Sequence, residues 1–553
     1  MNKIYKMAVA AAVVLTGFSS CIEEVTPQSG YVTEEQAAKA PNSFESFVAG
    51  LTNGLCGSFT YSGSDERPWD YGYPSFFLTR DVMGQDIALD NDGDWYQSWY
   101  TCSVALGPHY AVCQLPMTYF YGWIKDCNTV ISMYKSLNNP RDVETHGAGI
   151  AYAMRAMYYT DIAQMYGSKT YTADPEALTC PMRTDENSST IHVARATNKD
   201  MFDFIIRDLD KAEEYLDGYV RSDVFTPDVS VVYGLKARAY LVMGNWEKAE
   251  YYANKAQEGY TMMTDAEYTD RANGFNTPNG AWMFGCTFKS TDANITNNDG
   301  DSSWGAQMII EVVGSGCGYA ANYGYPKRMD AHLFSTIPES DVRRKVFVDP
   351  AIDEMEEADQ LTALAEYSDV PSGILFTASK SDQKNVGCLS VKFRPKNGEH
   401  NDQYKGFTVA VPMMRVEEMM LIEAEAAAMQ AEARGQALLE AFAKKRDPNY
   451  TYGTHQEKYY STSTTPLQDE IWWQRRVELW GEGFSMYDIK RQQRGIIRNY
   501  AGTNHVETYR WNMQETPQWM THCFVQTESN YNNLLVPNPT PSHEAVDDPE
   551  YVW

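Results

Sequence analysis

Two loops of the chain combine acidic and amide side chains with tryptophan. The first runs from Asp90 through Trp95 to Trp99, and the second runs from Asn297 to Trp304. Indole and phenol rings offer flat apolar faces with a polar edge, on which the C–H face of a sugar ring can stack. Neighbouring carboxylates and amides can accept hydrogen bonds from sugar hydroxyl groups. The combination predicts a surface that binds carbohydrate.

More aromatic residues lie in polar segments near these loops. A single tryptophan is usually well buried, so any one ring fills a core or caps a loop more often than it binds a ligand. The prediction of a binding surface therefore depends on the whole cluster of aromatic residues and not on any single ring. The candidate ligand-binding residues are Trp95, Trp99, Trp304, Trp282, Tyr323, Tyr325, Trp69, Tyr71, Asp81 and Arg80, together with Tyr73 and Tyr319.

Three alternating aspartates, Asp90, Asp92 and Asp94, resemble the start of a calcium-binding loop. Gly93 comes before the position where such a loop carries its glycine, and Thr101 stands where it carries its twelfth-position glutamate. A solvated acidic turn explains the spacing better. A structural Ca²⁺ at these aspartates is a weak alternative, and we expect no other metal or cofactor.

Familiar catalytic motifs are absent from the sequence. It contains no Gly-x-Ser-x-Gly, His-Glu-x-x-His, P-loop or Rossmann glycine pattern, and its nine histidines are dispersed. A glycosidase needs two carboxyl groups facing each other across a cleft, one of them with a raised pKa. Acids in the loops leave a secreted glycoside hydrolase as an alternative, but we expect a protein without enzyme activity.

Two helix-like stretches near the C-terminus carry charges of both signs. The first begins near Pro412, and the second runs from Trp472 to Arg491. Acids beside this many arginines stay ionised, and structural ion networks shift charges as often as active sites do. We therefore assign a structural network rather than an active site to Arg415, Glu418, Glu425, Arg475, Glu478, Glu482 and Asp488.

Charge and composition narrow the classes of ligand. The 553 residues are 43% hydrophobic and carry a formal net charge of −28. Nucleic-acid binding depends on cationic groups that neutralise phosphates, so a nucleic-acid partner is not expected. This hydrophobic content and negative net charge suit a folded domain whose ligand is neutral or weakly charged.

The N-terminus has the pattern of an export signal. Lys3 and Lys6 precede a short apolar run, and small residues lead to Cys21. The run is too short to span a bilayer. Residues 1–20 are predicted to be a lipoprotein signal peptide, with Cys21 as the lipidated first residue of a tether over residues 21–40. The alternative is an ordinary signal peptide cut elsewhere.

Helical periodicity extends through the first half of the chain. We predict helices over residues 44–55, 110–137, 150–166 and 200–216. Between residues 231 and 256, small residues, Gly244 and Trp246 have the spacing of a tetratricopeptide unit. One such unit cannot bury its apolar face alone, so several must stack. The predicted fold is predominantly α, with tetratricopeptide-type helix pairs as its scaffold.

A loop-rich lobe interrupts this scaffold. From about residue 271 to 410 the chain is rich in Gly, Asn, Asp and Tyr, with short strand-like runs at 306–313, 389–393 and 407–410. Loops on a rigid scaffold commonly carry function. Nine cysteines follow Cys21, none in a Cys-x-x-Cys pair, and their spacing predicts no disulfide connectivity.

The motifs of the C-terminal helix pair resemble those of the SusD/RagB family. They comprise Pro412, Arg415, Glu418, Leu421 and Ala424-Glu425-Ala426, then Arg475-Arg476-x-Glu478-Leu479-x-x-Glu482-Gly483 and Asp488-x-x-Arg491. Family members usually carry arginine two positions after the motif glycine, where this chain has Ser485. That departure puts one ion pair of the usual network in doubt.

The resemblance implies a single SusD-like domain over residues 41–553. Its helical scaffold would occupy about 41–270 and 411–491, and its loop-rich ligand lobe about 271–410 and 492–553. It also implies a lipid-anchored protein of the outer-membrane surface that passes oligo- or polysaccharide to a SusC-like TonB-dependent barrel. A tetratricopeptide adaptor that binds only proteins is a further alternative.

Overall fold

The computed structural model describes residues 42–59, 67–90, 93–543 and 549–553. The chain divides into two compact units, Met1–Ser46 and Phe47–Trp553. The described part of the first unit is one turn, in which the Ser46 hydroxyl donates to the carbonyl of Asn42 at 3.0 Å. The predicted signal peptide, Cys21 and the tether lie outside the described residues. Every described helix is too short or too polar to cross a bilayer.

The described chain is predominantly helical, which confirms the predicted fold class. Polar side chains begin several helices; for example, Thr197 accepts a hydrogen bond from the backbone N–H of Asp200. In chain order the α-helices are α1 Ser43–Asn53, α2 Ser75–Asp81, α3 Gln97–Tyr100, α4 Ala111–Lys135, α5 Asp142–Tyr166, α6 Asn198–Tyr215, α7 Val229–Met243, α8 Trp246–Ala256, α9 Asp265–Tyr268, α10 Ala293–Thr296, α11 Trp304–Met308, α12 Ala331–Ser335, α13 Glu357–Leu364, α14 Pro371–Lys380, α15 Gln403–Gly406, α16 Val416–Ala428, α17 Glu432–Arg446, α18 Pro466–Glu478, α19 Ser485–Arg491 and α20 Gln526–Tyr531.

The scaffold is a serial stack of the longer helices. Helix α4 packs on α5, α5 on α6, α6 on α7 and α7 on α8. Gly244 ends α7 in the left-handed region at φ 66°, where glycine avoids the strain of a Cβ, and the Asn245 side chain caps α8. This turn is the one that the tetratricopeptide spacing predicts.

The stack continues after a long insertion. Helix α8 packs on α16, which also contacts α17 and α18. Residues 257–415, which separate α8 from α16 in sequence, hold most of the short elements. Short 3₁₀ turns occur at Gly54–Cys56, Val104–Leu106, Gly274–Asn276, Asn298–Gly300, Val342–Val346, Pro350–Glu354, Lys396–Gly398, Glu507–Tyr509 and Gln518–Met520.

The strands form small antiparallel pairs. β1 pairs with β5, β2 with β3, β4 with β6 and β7 with β8. The β1–β5 and β4–β6 pairs join segments that are far apart in the chain, whereas β2 and β3, and likewise β7 and β8, are close in sequence. The strands are β1 Ile87–Ala88, β2 Leu178–Pro181, β3 Arg195–Thr197, β4 Trp282–Thr287, β5 Arg328–Met329, β6 Ala410–Arg415, β7 Ile496–Ile497 and β8 Asn512–Met513.

Two predicted helices have the wrong bounds. The helix expected to begin near Pro412 begins at Val416, because Pro412 lies in β6 opposite Gly285 of β4. The helix expected over 472–491 ends at Glu478 and restarts at Ser485. Gly481 and Gly483 between them have positive φ angles, which interrupt a right-handed helix.

The strand-like runs of the insertion were also predicted incorrectly. Residues 306–308 belong to helix α11, and of the run 407–410 only Ala410 is in a strand. Leu389 and Ser390 form isolated bridges to Arg328 and Phe347 and do not form a sheet. Apolar runs this short are buried by tertiary packing, which their periodicity alone does not reveal.

Candidate ligand-binding site

Four aromatic rings from two distant loops meet at the protein surface. Trp95 lies edge-on to Tyr319, with ring centroids 6.0 Å apart. Tyr319 in turn lies 5.1 Å from Tyr323 and 6.4 Å from Tyr325. The Tyr323 side chain is 47% exposed, and the other three rings are half-buried. We call Trp95, Tyr319, Tyr323 and Tyr325 the aromatic ledge.

A buried ion pair fastens the two loops to each other. The Lys327 ammonium lies 2.5 Å from the Asp94 carboxylate and donates to the Tyr325 carbonyl at 3.1 Å. The same carboxylate accepts from the backbone N–H of Tyr96 at 2.8 Å. Both charged side chains are almost fully buried, so solvent screens their attraction little. Trp95, next to Asp94, is thereby held beside the tyrosine-bearing loop.

Two glycines allow the close approach that this junction needs. A Cβ on Gly93 would lie 2.3 Å from the Tyr325 hydroxyl oxygen. Gly324 has a φ of 84°, and a Cβ there would lie 2.3 Å from the carbonyl oxygen of Lys380. A side chain at either position would displace the ledge or strain its backbone. The ledge is therefore specified by small residues as well as by the rings themselves.

A carboxyl group lies behind the ledge. Asp301 accepts from the backbone N–H of Gly318 at 2.7 Å and is hydrogen-bonded to the Tyr323 side chain. Burial raises the pKa of Asp301 to about 6; the nearby Asp299 carboxylate also raises it, and the hydrogen bond from Gly318 opposes the rise. The position of Tyr323 thus depends on an acid that ionises near neutrality.

The outer edge of this region is also acidic and aromatic. Tyr404, 41% exposed, donates from its hydroxyl to Asp299 at 2.7 Å. Within the described ranges, no lysine or arginine forms an ion pair with Asp299 or Asp301. The sequence did not single out Tyr404, although it follows the polar residues Asn401 to Gln403, a setting like that of the predicted rings.

The ledge brings together only part of the predicted site. Trp95, Tyr323 and Tyr325 lie on it with Tyr319, whereas the other candidates are at most 4% exposed and cannot offer a face to a surface ligand. Their rings pack against each other or against the core, as Trp69 does with Trp99 at 6.2 Å and Trp304 does with Phe393 at 5.1 Å. The interior candidates are Trp69, Tyr71, Tyr73, Arg80, Asp81, Trp99, Trp282 and Trp304.

Arg80 and Asp81 connect helix α2 to the turn before α19. The Arg80 guanidinium donates to the Tyr487 hydroxyl at 2.9 Å. Asp81 accepts from the backbone N–H groups of Gly483 and Ser485 at 2.9 and 3.0 Å. Burial raises the pKa of Asp81 to about 7, although these two hydrogen bonds oppose the rise. Ser485, where relatives usually carry arginine, thus contributes a backbone donor.

The aspartates proposed for calcium have other partners. The Arg328 guanidinium lies 2.8 Å from the Asp90 carboxylate, and Lys327 holds Asp94. Asp92 lies outside the described residues. In the described part of the chain, no three His, Cys, Asp or Glu side chains are grouped so that they could hold a metal ion. The structure does not support the calcium alternative for Asp90 and Asp94, because buried cations neutralise both.

Helix α16 and the segment that follows α18 enclose a buried ion network around Arg415. Its guanidinium lies 2.8 Å from Glu417, 3.2 Å from Glu478 and 2.8 Å from Glu482. Burial alone would raise the pKa of Glu478, but the guanidiniums of Arg446, Arg415 and Arg343 lower it well below its ordinary value. Glu478 therefore stays ionised.

The remaining charges of the helix pair are also matched. Further ion pairs join Arg238 to Glu418 at 2.7 Å, Arg491 to Glu425 at 2.5 Å, Arg491 to Asp488 at 2.9 Å, Arg475 to Asp488 at 2.6 Å and Lys392 to Glu482 at 2.7 Å. Each of these carboxylates is buried. The arrangement joins scaffold helices to one another with its charges paired, so it is suited to a structural role.

Two family models match the chain. The model described as SusD-like_3, starch-binding associating with outer membrane, matches residues 82–241, and the model described as the SusD family matches residues 246–552. No curated protein matches the chain.

Solved structures share the fold. A SusD-like carbohydrate binding protein from Bacteroides vulgatus is 22% identical with a TM-score of 0.68, over 89% of this chain and 97% of that one. Surface glycan-binding protein A from Bacteroides thetaiotaomicron, in complex with laminarihexaose, is 16% identical with a TM-score of 0.65, over 90% and 98%. A laminarin binding SusD-like protein is 18% identical with a TM-score of 0.60, over 92% and 100%. Because one family model alone covers more than half of the sequence, the chain belongs to the SusD/RagB family.

Proposed function

We propose that this protein is a lipid-anchored cell-surface binding protein that captures uncharged oligosaccharides on the aromatic ledge. It passes them uncleaved to a SusC-like TonB-dependent transporter. The observation that carries the proposal is the ledge, where four rings from two loops remain partly open to solvent above a packed scaffold. Rings held in this way have already lost the freedom that binding would otherwise cost.

The ring geometry favours an oligosaccharide over a single sugar. Interplanar angles at Tyr319 are 73° to Trp95, 38° to Tyr323 and 21° to Tyr325. Faces turned at several angles around one centre can meet successive sugar units of a chain. Two structural relatives are described with laminarihexaose and laminarin as ligands, which supports a glucan as the first ligand to test.

The charge around the ledge favours an uncharged ligand. Asp299 and Asp301 both lie beside Tyr323, and the whole chain carries −28 formal charges. Within the described residues the nearest cation of the site, Lys327, is already paired with Asp94. Carboxylates accept hydrogen bonds from hydroxyl groups but repel uronate or sulfate groups. A neutral glycan therefore suits this surface best.

The N-terminal sequence supports the surface location. A lipid attached at Cys21 and a tether over residues 21–40 would hold the domain at the membrane, since combined acyl chains anchor stably. One matching family model is described as associating with the outer membrane. The Cys21→Ala variant should leave the membrane fraction, and membrane retention of that variant would contradict the anchor.

A glycoside hydrolase is the second candidate, because Asp301 has the raised pKa that a general acid needs. Against it, Asp301 is buried and already bonded to Tyr323 and Gly318, and the acids of the Arg415 network are ion-paired. A reducing-sugar assay over a glycan panel separates the two candidates. Turnover that Asp301→Asn abolishes would establish the hydrolase.

Binding itself is tested by calorimetry with laminarihexaose and a panel of neutral and acidic oligosaccharides. We expect Trp95→Ala and Tyr323→Ala each to weaken binding roughly 30-fold, the effect of removing a ~2 kcal/mol hot-spot side chain. Tyr531→Ala is the matched control, because Tyr531 is an exposed tyrosine on α20. Unchanged affinity in both ledge variants, or binding to no glycan of the panel, would overturn the proposal.

A further inference from the structure

Two buried cysteines from opposite ends of the sequence lie against each other. The sulfur atoms of Cys113 and Cys523 are 3.4 Å apart, although 410 positions separate the residues. Their residues are 5% and 3% exposed. A disulfide has an S–S length of about 2.05 Å, so the two sulfur atoms need to approach by about 1.4 Å to bond.

The surrounding backbone holds the two cysteines in place. Cys113 lies in the first turn of α4, and Cys523 lies in the segment that leads to α20. The Cys523 thiol reaches the Leu106 carbonyl at 3.0 Å, and the backbone N–H of Gln526 donates to the Pro108 carbonyl at 2.8 Å. These contacts hold the two segments next to each other, so the sulfur atoms stay within reach of a rotation about the side-chain bonds.

We propose that Cys113 and Cys523 form a disulfide that joins α4 to the C-terminal segment in the exported protein. Disulfides persist in compartments outside the reducing cytosol, where the proposed function places this chain. The bond closes a loop of about 410 residues, and long loops gain the most from closure because their unfolded ensemble loses the most freedom.

The reaction is thiol–disulfide exchange with a disulfide oxidant. The hydrogen bond from Cys113 lowers the pKa of the Cys523 thiol, and the same contact raises the pKa of Cys113, so Cys523 is the first nucleophile. Its thiolate attacks one sulfur of the oxidant, forming a mixed disulfide and releasing one thiolate. The Cys113 thiolate then attacks the Cys523 sulfur of this mixed disulfide, which forms the Cys113–Cys523 bond and releases the second thiolate of the oxidant. Two cysteine thiols are oxidised, and one disulfide is reduced to two thiols that take up both protons.

The test is peptide mapping of the full chain, exported with its own N-terminus and digested without reduction after free thiols are alkylated. We expect a peptide that links Cys113 to Cys523 and disappears on reduction. A second arm treats purified, reduced protein with oxidised glutathione, and we expect the same peptide. Alkylation of both thiols in both arms would overturn the inference. A link that forms only with glutathione would show that the site is competent and that the export prediction failed.

Thermal unfolding gives a second measurement. Reduction should lower the melting temperature of the wild type by about 5 °C and leave Cys113→Ala/Cys523→Ala unchanged. Cys127→Ala is the matched control, because Cys127 is a buried cysteine on the same helix whose charged neighbours are Arg155, Asp126 and Asp208. This control variant should keep the response to reduction; equal responses in the double variant and the wild type would contradict the bond.

Discussion

The Arg415 network and the aromatic ledge use polar residues in opposite ways. In the network, Arg415, Glu417 and Glu478 have fully buried side chains, and each charge has at least two partners of the opposite sign. On the ledge, Tyr323 is 47% exposed. The first arrangement satisfies its groups within the fold, whereas the second leaves aromatic surface for a ligand.

This contrast shows why residue type alone does not identify the binding site. Both regions contain acids beside aromatic rings, and the Arg415 guanidinium itself lies 5.1 Å from the ring of Phe275. What differs is whether the fold supplies partners for those groups. Variants that remove a partner in the Arg415 network should therefore change stability, and variants on the aromatic ledge should change affinity.

Arg415→Ala should have the largest effect, a loss of about 3–5 kcal/mol in the free energy of unfolding, because it removes one of the two buried cations that pair with Glu417 and with Glu482. Glycan affinity of the folded variant should stay within about twofold, since Arg415 is not on the ledge. Urea unfolding and calorimetry measure the two quantities. Arg434→Ala is the control, because its ion pair with Glu250 is half-exposed and should cost about 1 kcal/mol or less. If Arg415→Ala lost glycan binding with an unchanged melting temperature, the Arg415 network would be the binding region, which contradicts the comparison.

Trp304→Ala should separate the interior tryptophans from the ledge. Trp304 packs on Phe77 and Phe393 at 5.9 and 5.1 Å, so its removal should cost about 3–5 kcal/mol of stability through the cavity that it leaves. Trp95→Ala should instead lower affinity with a smaller stability loss. Unfolding curves and binding curves of both variants test this expectation. A Trp304→Ala variant that is stable but does not bind glycan would place the ligand away from the ledge.

The smallest effect concerns the acid behind the ledge. As pH rises through about 6, Asp301 ionises and its hydrogen bond to Tyr323 becomes charge-assisted, so glycan affinity should rise about fivefold between pH 5 and 7. Its folded pKa of about 6 exceeds the ordinary value of 3.8, so stability falls as the pH rises from about 4 to about 6 and changes little above that. Asp301→Asn should flatten the binding profile.

The control for this pH dependence is Asp359→Asn, which alters an exposed aspartate on α13 and should keep the wild-type profile. An Asp301→Asn variant that follows the wild-type curve would show that another group controls the pH dependence.

Much of the scaffold could be predicted from local sequence. Helix α6 begins at Asn198, close to the predicted position 200, and the Gly244 turn occurs where the tetratricopeptide spacing places it. Pro412 could not be placed correctly, because its strand depends on pairing with Gly285, 127 positions earlier. Predictions succeeded where the determinants were a few residues apart and failed where distant segments pair.

The same limit applies to the site. Trp95 and Trp99 are four positions apart, yet Trp95 is half-buried before helix α3 and Trp99 is fully buried within it. Burial of Trp99 results from contact with Trp69, 30 positions away, and the ledge requires residues beyond 300. Composition identified the two segments, but three-dimensional packing determines which of their aromatic rings are exposed.

The Asp94–Lys327 ion pair has a consequence for how this protein could change over evolutionary time. Together with the Asp90–Arg328 ion pair, it forms a buried joint between two separate surface loops. Exchange of either tip, with the joint kept, would give a new combination of rings on the same frame. The ligand preference of the ledge could thereby diverge among gene copies faster than their architecture.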